Sequence, residues 1–352
     1  VTVSAFAKLQ DSLAFVSTLS PGAAAGIPAM SDALQDLVNG PLQNMVTSQE
    51  TSKALYTTMS AGMTDLGEAT NFMGTALKLA AATGTDADTT IEALVKTGLA
   101  YKTSYRDVGK IAGEINQVVE EGIVTFPQLA GGLAEVAGVA AQIGVSRKEL
   151  LGMTSALTSV KSGAAALEGM SSLLNSLAGQ GEQSQKAIAE LGIRFDLQSV
   201  KAKGLKKSLD ELYKATQGDT TKLKTILPDS LAFETAIALM TSVSDKANTT
   251  ITNVGKAGEE SVDKLFGNRQ QSLIKQATAL MNGFQEVMIK FGKMLLPILQ
   301  PGLDFLRSLL EGFQKMPEPV KYLVGGMVLL NLTISKTIGI GGTFVSLLFG
   351  LG

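Results

Sequence analysis

The sequence predicts an all-α chain: a multi-helix array of short helices, then a long amphipathic helix and an apolar C-terminal segment. Three observations carry this. Helix start signals recur about every 20 residues between 51 and 180. Apolar residues repeat at helical spacing, and no segment alternates as a half-buried strand would. The expected organisation is an N-terminal helical segment over 1–50, a helical core over 51–250, a long amphipathic helix region over 251–316 and an apolar segment over 317–352.

In the first segment, Val3 to Leu19 reads as one helix, stopped by Pro21-Gly22. Met30 to Val38 reads as a second, stopped by Asn39-Gly40-Pro41. Further on, capping boxes are expected. Thr89-Thr90-Ile91-Glu92 and Ser146-Arg147-Lys148-Glu149 carry Glu three residues after the hydroxyl. Thr125-Phe126-Pro127-Gln128 carries Gln, and Ser104-Tyr105-Arg106-Asp107 is a weaker acidic version. A hydroxyl at that place accepts from a first-turn N–H that has no partner inside its helix. Between two such starts, Leu129, Leu133, Val136, Ala140 and Ile143 share one face, at spacings of 4, 3, 4 and 3. The pattern predicts short helices joined by tight turns, with a degenerate two-helix repeat. Breaks follow at Gly181, Gly192, Gly204, Gly218 and Pro228.

From about Ser261 to Leu296 the spacing predicts one continuous helix. Its expected packing face is Leu273, Ala277, Leu280, Phe284, Val287, Phe291 and Met294, an unbroken series of fours and threes. Ile274, Met281, Met288 and Leu295 run beside it, so the face is wider than a two-stranded seam. The expectation is that it packs on other copies of the chain or on the core. Pro297 and Pro301 end or kink the helix.

From Tyr322 to Gly352 the only charge is Lys336. The stretch is long enough to cross a bilayer, and Leu323, Leu329, Leu330, Ile338, Phe344, Leu347 and Leu348 are the expected membrane-interacting residues. A membrane hairpin, a single interrupted span, a buried oligomer core and a truncated end all remain open. Gly342, Ser346 and Gly350 are spaced for close helix approach, in lipid or in a soluble trimer.

Composition narrows the chemistry. Hydrophobic residues make up 45% of the chain and aromatic residues only 5%, which favours helices packing closely through small side chains. Histidine and cysteine are absent, which excludes a cysteine nucleophile, a Ser–His–Asp triad, a Cys/His zinc site and a disulfide framework. The pairs Glu120-Glu121 and Glu259-Glu260 are adjacent in sequence, so on a helix they point about 100° apart and read as solvated charge. Gly339-Ile340-Gly341-Gly342 lacks the third glycine of a dinucleotide fingerprint and follows no predicted strand. No enzymatic activity, cofactor or metal is therefore expected. The net charge of −2 is not the footprint of a nucleic-acid binder. Lys201, Lys203, Lys206, Lys207 and Lys214, near Arg194, read as a solvated face, with contact to DNA or to an acidic wall as the other reading. The chain begins with Val and shows no basic region before its first apolar stretch, so no signal peptide is expected, and a processed product or a segment of a longer chain is.

Several motifs, taken in order, resemble a known family. They are Ala81-Ala82-Thr83-Gly84 before a capped helix, Gly122-Ile123-Val124-Thr125 with Leu129-Ala130, and Ala140-Ala141-Gln142-Ile143-Gly144-Val145-Ser146 with Glu149-Leu150. Leu191-Gly192-Ile193, Gly204-Leu205 and Gly218-Asp219 follow. Over about Leu55 to Asp245 the chain resembles the core region of bacteriophage tail tape measure proteins. Downstream, Phe291-Gly292-Lys293-Met294-Leu295-Leu296-Pro297 and Met316-Pro317-Glu318-Pro319-Val320-Lys321 resemble the family's amphipathic helix and its lead into an apolar segment. The resemblance implies a structural protein of the virion, in the lumen of the tail tube, that sets tail length during assembly and takes part in genome ejection. It implies a homo-oligomer, with a trimer as one suitable form, and tail tube and baseplate hub proteins as partners. It further implies the host inner membrane as a partner during infection, and transient contact with phage DNA. Family members are often far longer, with extended coiled coils that this chain lacks. As one unbroken helix the chain would reach roughly 530 Å, a form its glycine breaks forbid. Two other readings fit parts of the sequence: a membrane-inserting, pore-forming helical protein unrelated to tails, and a wall hydrolase, which the missing histidine disfavours.

Overall fold

The computed structural model describes residues 2–19, 26–272, 276–287, 289–290, 293–294, 308, 311 and 315, and no strand occurs among them. Contacts divide the chain into one unit over Val1–Ile289 and another over Lys290–Gly352. The first unit holds α1 (Thr2–Ser17), α2 (Ile27–Asn39), α3 (Ser48–Ser60), α4 (Leu66–Thr83), α5 (Ala87–Ala100), α6 (Val108–Glu121), α7 (Phe126–Ile143) and α8 (Arg147–Leu157). It continues through α9 (Gly163–Ala178), α10 (Glu182–Glu190), α11 (Leu197–Lys203), α12 (Leu205–Thr216), α13 (Thr220–Ile226), α14 (Ser230–Met240), α15 (Ser244–Lys256) and α16 (Glu259–Gln270). A further helix covers 276–287.

Local chemistry sets most of the starts. Thr47 and Glu50 form a reciprocal capping box on α3: the Thr47 N–H donates to Glu50 Oε2 at 2.8 Å, and the Glu50 N–H to Thr47 Oγ1 at 3.2 Å. At α7, Thr125 is the N-cap and its N–H donates to Gln128 Oε1 at 2.9 Å. Ser146 is the N-cap residue of α8, but the box expected there is corrected: its hydroxyl donates to Glu149 Oε2 at 2.9 Å and accepts no first-turn N–H. Ser104 opens a single 3₁₀ turn over Tyr105–Asp107. The start expected at Thr89 is corrected. Asp86 is the N-cap of α5 and accepts from the Thr89 N–H at 2.9 Å, so Thr89 is the third residue of the helix. A carboxylate at the cap also meets the positive end of the helix dipole, an advantage that a hydroxyl lacks. The two longest described helices, α4 and α7, have 18 residues each and end at Gly84 and Gly144, both in the left-handed region.

The topology is an array that folds back along itself. Helices α3 to α9 lead outward, with α5 on α7 and α7 on α9. The chain then returns: α14 lies on α9, α15 on α8 and α6, and α16 on α6 and α4. The return depends on residues that let backbones meet. A Cβ on Gly113 of α6 would fall 2.0 Å from the Gly258 carbonyl oxygen, and one on Gly152 of α8 would fall 2.5 Å from the Ile251 nitrogen. Beside the second crossing, the Thr250 hydroxyl donates to the Gly152 carbonyl at 2.6 Å.

The continuous helix expected from Ser261 to Leu296 is interrupted. Helix α16 stops at Gln270, and Ser272 turns the chain, donating to the Arg269 carbonyl at 3.1 Å and accepting from the Gln276 N–H at 2.9 Å. Arg269 holds this end in place, because its Nε donates to the Ala82 carbonyl at 2.9 Å near the C-terminus of α4. No described helix is long and apolar enough to cross a membrane. The expected membrane residues Leu323, Leu329, Leu330, Ile338, Phe344, Leu347 and Leu348 lie outside the described residues, as do Leu273 and Phe291 of the expected packing face.

These crossings give a direct stability test. Gly113→Ala and Gly152→Ala should each destabilise the protein by about 1–3 kcal/mol through overpacking. A Cβ on Gly138 of α7 meets nothing within 4 Å, so Gly138→Ala should stabilise by roughly 0.5–1 kcal/mol from helix propensity alone. Denaturant unfolding measures all three, and an unchanged midpoint for Gly152→Ala would contradict the close crossing.

Candidate interaction surface

The helix over 276–287 is inverted relative to an ordinary surface helix. Its apolar face looks out: Leu280 is 76% exposed, Met281 69%, Phe284 64% and Val287 47%. Ala277 is exposed as well, and so is Met294. Its other face looks in and carries the polar groups. Ala279 packs on the cluster of Met45, Ala81, Ala82 and Phe266. The Asn282 amide donates to the Asn44 carbonyl at 2.9 Å, and a Cβ on Gly283 would lie 3.6 Å from the Asn44 side chain. Ile289 is buried just beyond.

Glu286 fixes this orientation. Its carboxylate is 1% exposed. It accepts from the Ser48 N–H at 2.7 Å and from the Ser48 hydroxyl at 2.5 Å, across 238 residues of sequence. Ser48 is the first residue of α3, so Glu286 sits where first-turn amides lack helical partners and the dipole favours an anion. Facing inward, the carboxylate has these partners; the large apolar side chains are left outside. Of the seven residues expected to form a packing face, Ala277, Leu280, Phe284 and Val287 are therefore exposed and do not cover the core of this unit, while Met294 is exposed in the second unit. Glu286 and Asn282 were not singled out by sequence reasoning. The available signal was one acidic residue in the otherwise uncharged stretch 276–289.

The other expected features are bound up internally. Within the basic run, Lys206 is buried and donates to Asp210 at 2.5 Å and to the Ser244 hydroxyl at 3.0 Å. Lys203 pairs with Glu211, and Arg194 with Asp196, while Lys201, Lys207 and Lys214 are exposed. The solvated-face expectation is thus corrected for Lys206, whose place at the start of α12 turns it toward α15. Asn116 donates to Glu120, while Gln117 and Asn253 donate to Glu121. Glu259 accepts from Thr75. Among the described residues no group of three or more acidic side chains is placed to hold a metal ion. The most buried ion pair joins Arg147 to Glu114, with Arg147 also donating to Thr103 at 2.7 Å and lying over the Tyr101 ring. Burial pushes the Tyr101 hydroxyl well above its ordinary pKa.

Comparison with known proteins adds one match. The family model described as phage-related minor tail protein matches residues 40–227, from the turn before α3 to the end of α13. The returning helices and the 276–287 helix lie beyond that span. No curated protein and no solved structure matches the chain.

The Glu286 contact predicts a local effect. Glu286→Ala leaves both Ser48 donors without their acceptor, removing charged hydrogen bonds typically worth about 1.5–3 kcal/mol. Amide exchange over 276–289 should accelerate roughly ten- to hundredfold, with α4 to α9 little changed. Hydrogen-exchange mass spectrometry reads this directly, and equal protection in both proteins would refute the anchor.

Proposed function

The chain belongs to the phage-related minor tail protein family, and from that premise we propose that it is a tail tape measure protein. On this reading it is a structural component of the virion, in the lumen of the tail tube, acting in tail assembly, length determination and genome ejection. Family membership places it among tail proteins and displaces a pore-forming protein unrelated to tails. The finer assignment is supported by the order of the motifs between Ala81 and Asp219, which resembles tape measure proteins throughout.

The helix lengths shape the role proposed. An 18-residue helix spans only about 27 Å, and the described residues fold back on themselves instead of extending. Residues 1–289 therefore act as a folded piece that engages tail tube or baseplate hub proteins. Length is measured by chain outside this unit. The apolar segment from Val320 to Gly352 is shielded in the assembled tail and enters the host inner membrane when the tail opens. The mechanism is physical and needs no covalent chemistry. The exposed Lys201, Lys207 and Lys214 are the residues available for transient contact with phage DNA.

Deleting residues 40–227 from the gene in the phage should abolish tail assembly. Electron microscopy separates the outcomes: tails shortened in proportion, by about 1.5 Å per residue removed, would keep the tape measure assignment but place the ruler inside this unit, and normal tails without the protein would refute the assignment. For the membrane step, the full chain should bind lipid vesicles. Leu329→Asp with Leu347→Asp should weaken binding by a hundredfold or more, since each carboxylate costs roughly 2.5–3.5 kcal/mol in hydrocarbon. Equal partitioning of the variant would rule out membrane entry by this segment.

A further inference from the structure

We infer that a groove across the outer side of α3 binds a segment of another protein in which a large apolar side chain stands next to basic ones. The inference does not rest on the tape measure reading.

Two adjoining cavities make the groove. Helix α3 lies among α1, α4 and α5. A cavity of about 350 Å³ is lined by Phe15 of α1 and Tyr56 of α3. A second, of about 480 Å³, is lined by Glu50 of α3 and Asp86 before α5, together with Met45, Leu77 and Ala80. Lys53 and Asp88 line both, so the two form one trough. Each is of the size that takes a side chain or a small ligand, roughly 300–1,000 Å³.

The core does not account for the aromatic end. Leu9, Leu13 and Val16 fill the core face of α1, and Ala54, Leu55 and Met59 that of α3; all are buried. Phe15 and Tyr56 fall off these faces and stay 63% and 42% exposed. Only 5% of the chain is aromatic, yet two of its rings meet solvent in one cavity. Large rings in a concave place are the usual anchors for a partner's apolar side chain.

Charge decides what stands beside that anchor. The groove carries Glu50, Asp86 and Asp88 against the single cation Lys53. Among the described residues none of these four is in an ion pair. Each carboxylate spends one oxygen on a local hydrogen bond: Glu50 Oε2 accepts from Thr47, Asp86 Oδ2 from Thr89 and Asp88 Oδ1 from the Thr57 hydroxyl. The other oxygens are open to a donor from outside. Lys53 and Asp88 offset each other where the cavities join, which leaves Glu50 and Asp86 as a net acidic end. A guanidinium or ammonium group complements it, whereas DNA phosphate and an acidic wall are repelled. A trough that passes from apolar to acidic matches successive side chains along a peptide, not one compact ligand.

The full chain contains no tryptophan, so a tryptophan in a probe peptide reports its own surroundings by fluorescence. Acetyl-Arg-Trp-Arg-amide should bind with a blue-shifted emission. Acetyl-Glu-Trp-Glu-amide and acetyl-tryptophan amide should bind about tenfold more weakly or less. Phe15→Ala with Tyr56→Ala should weaken binding of the Arg peptide about tenfold. Glu50→Gln with Asp86→Asn should weaken it about fivefold and remove most of its salt dependence. Gln keeps the capping box of α3 and Asn keeps the cap of α5, while Phe15 and Tyr56 are exposed. Both double variants should therefore keep the wild-type unfolding midpoint. The proposal is overturned if the Arg peptide does not bind the wild-type chain at millimolar concentration, if the Glu peptide or acetyl-tryptophan amide binds as tightly, or if neither double variant weakens binding. A lower sedimentation mass for either variant would assign the groove to a second copy of the chain and overturn it as well.

Discussion

The fold depends on backbone meeting backbone at two glycines. Gly113 lets α6 receive the turn before α16, and Gly152 lets α8 receive α15. A methyl group at either point would push the returning helix away. Everything later in the unit is placed through these crossings: Arg269 reaches Ala82 only because α16 lies along α4, and Glu286 reaches Ser48 only because α16 ends there. The low aromatic content has its explanation here. An interior closed by small side chains at crossings needs few large rings, and Phe72, Phe126 and Phe195 are among its largest fully buried side chains.

Polar groups then set direction along the crossings. Thr250 on Gly152, Asn253 on Glu121, Thr75 on Glu259 and Lys78 on Asp263 connect the returning leg to the outward one. The Arg147–Glu114 pair joins the start of α8 to α6, with Tyr101 and Thr103 from the end of α5 closing around it. A buried pair of this kind contributes little net stability against an apolar equivalent. Losing one partner is expensive, so it penalises misaligned arrangements of these three helices more than it rewards the correct one.

Much of the outward array was legible in the sequence, because its signals are local. Thr125 with Gln128, Ser146 before α8, and the glycines that end α4 and α7 each act within a few residues. The start of α5 was misplaced by three residues because Asp86 and Thr89 both suit a cap, and the charge-bearing one prevails. The returning leg was not legible. Its partners lie far off in sequence, from 57 residues between Ser172 and Asp229 to 187 between Ala82 and Arg269, and no periodicity encodes which helix receives it. The 276–287 helix shows the limit most plainly. Spacing reveals that Leu280, Phe284 and Val287 share a side, but a helical pattern carries no reference for inside and outside. That choice was made by Glu286 and Ser48, 238 residues apart.

The fold-back also decides how the unit answers a mechanical load. The chain leaves the first unit at Ile289, three residues beyond the Glu286 contact. Tension applied past that point arrives first at two hydrogen bonds, not at the glycine crossings. Next in line are Asn282 on Asn44 and Arg269 on Ala82, then α16, then α15. Each is peeled from its end in turn, one short helix at a time, while the helices from α3 to α9 keep their contacts with one another. A pull from the C-terminal side therefore unzips the returning leg in small steps and spares the outward array, so the unit lengthens gradually under force instead of rupturing all at once.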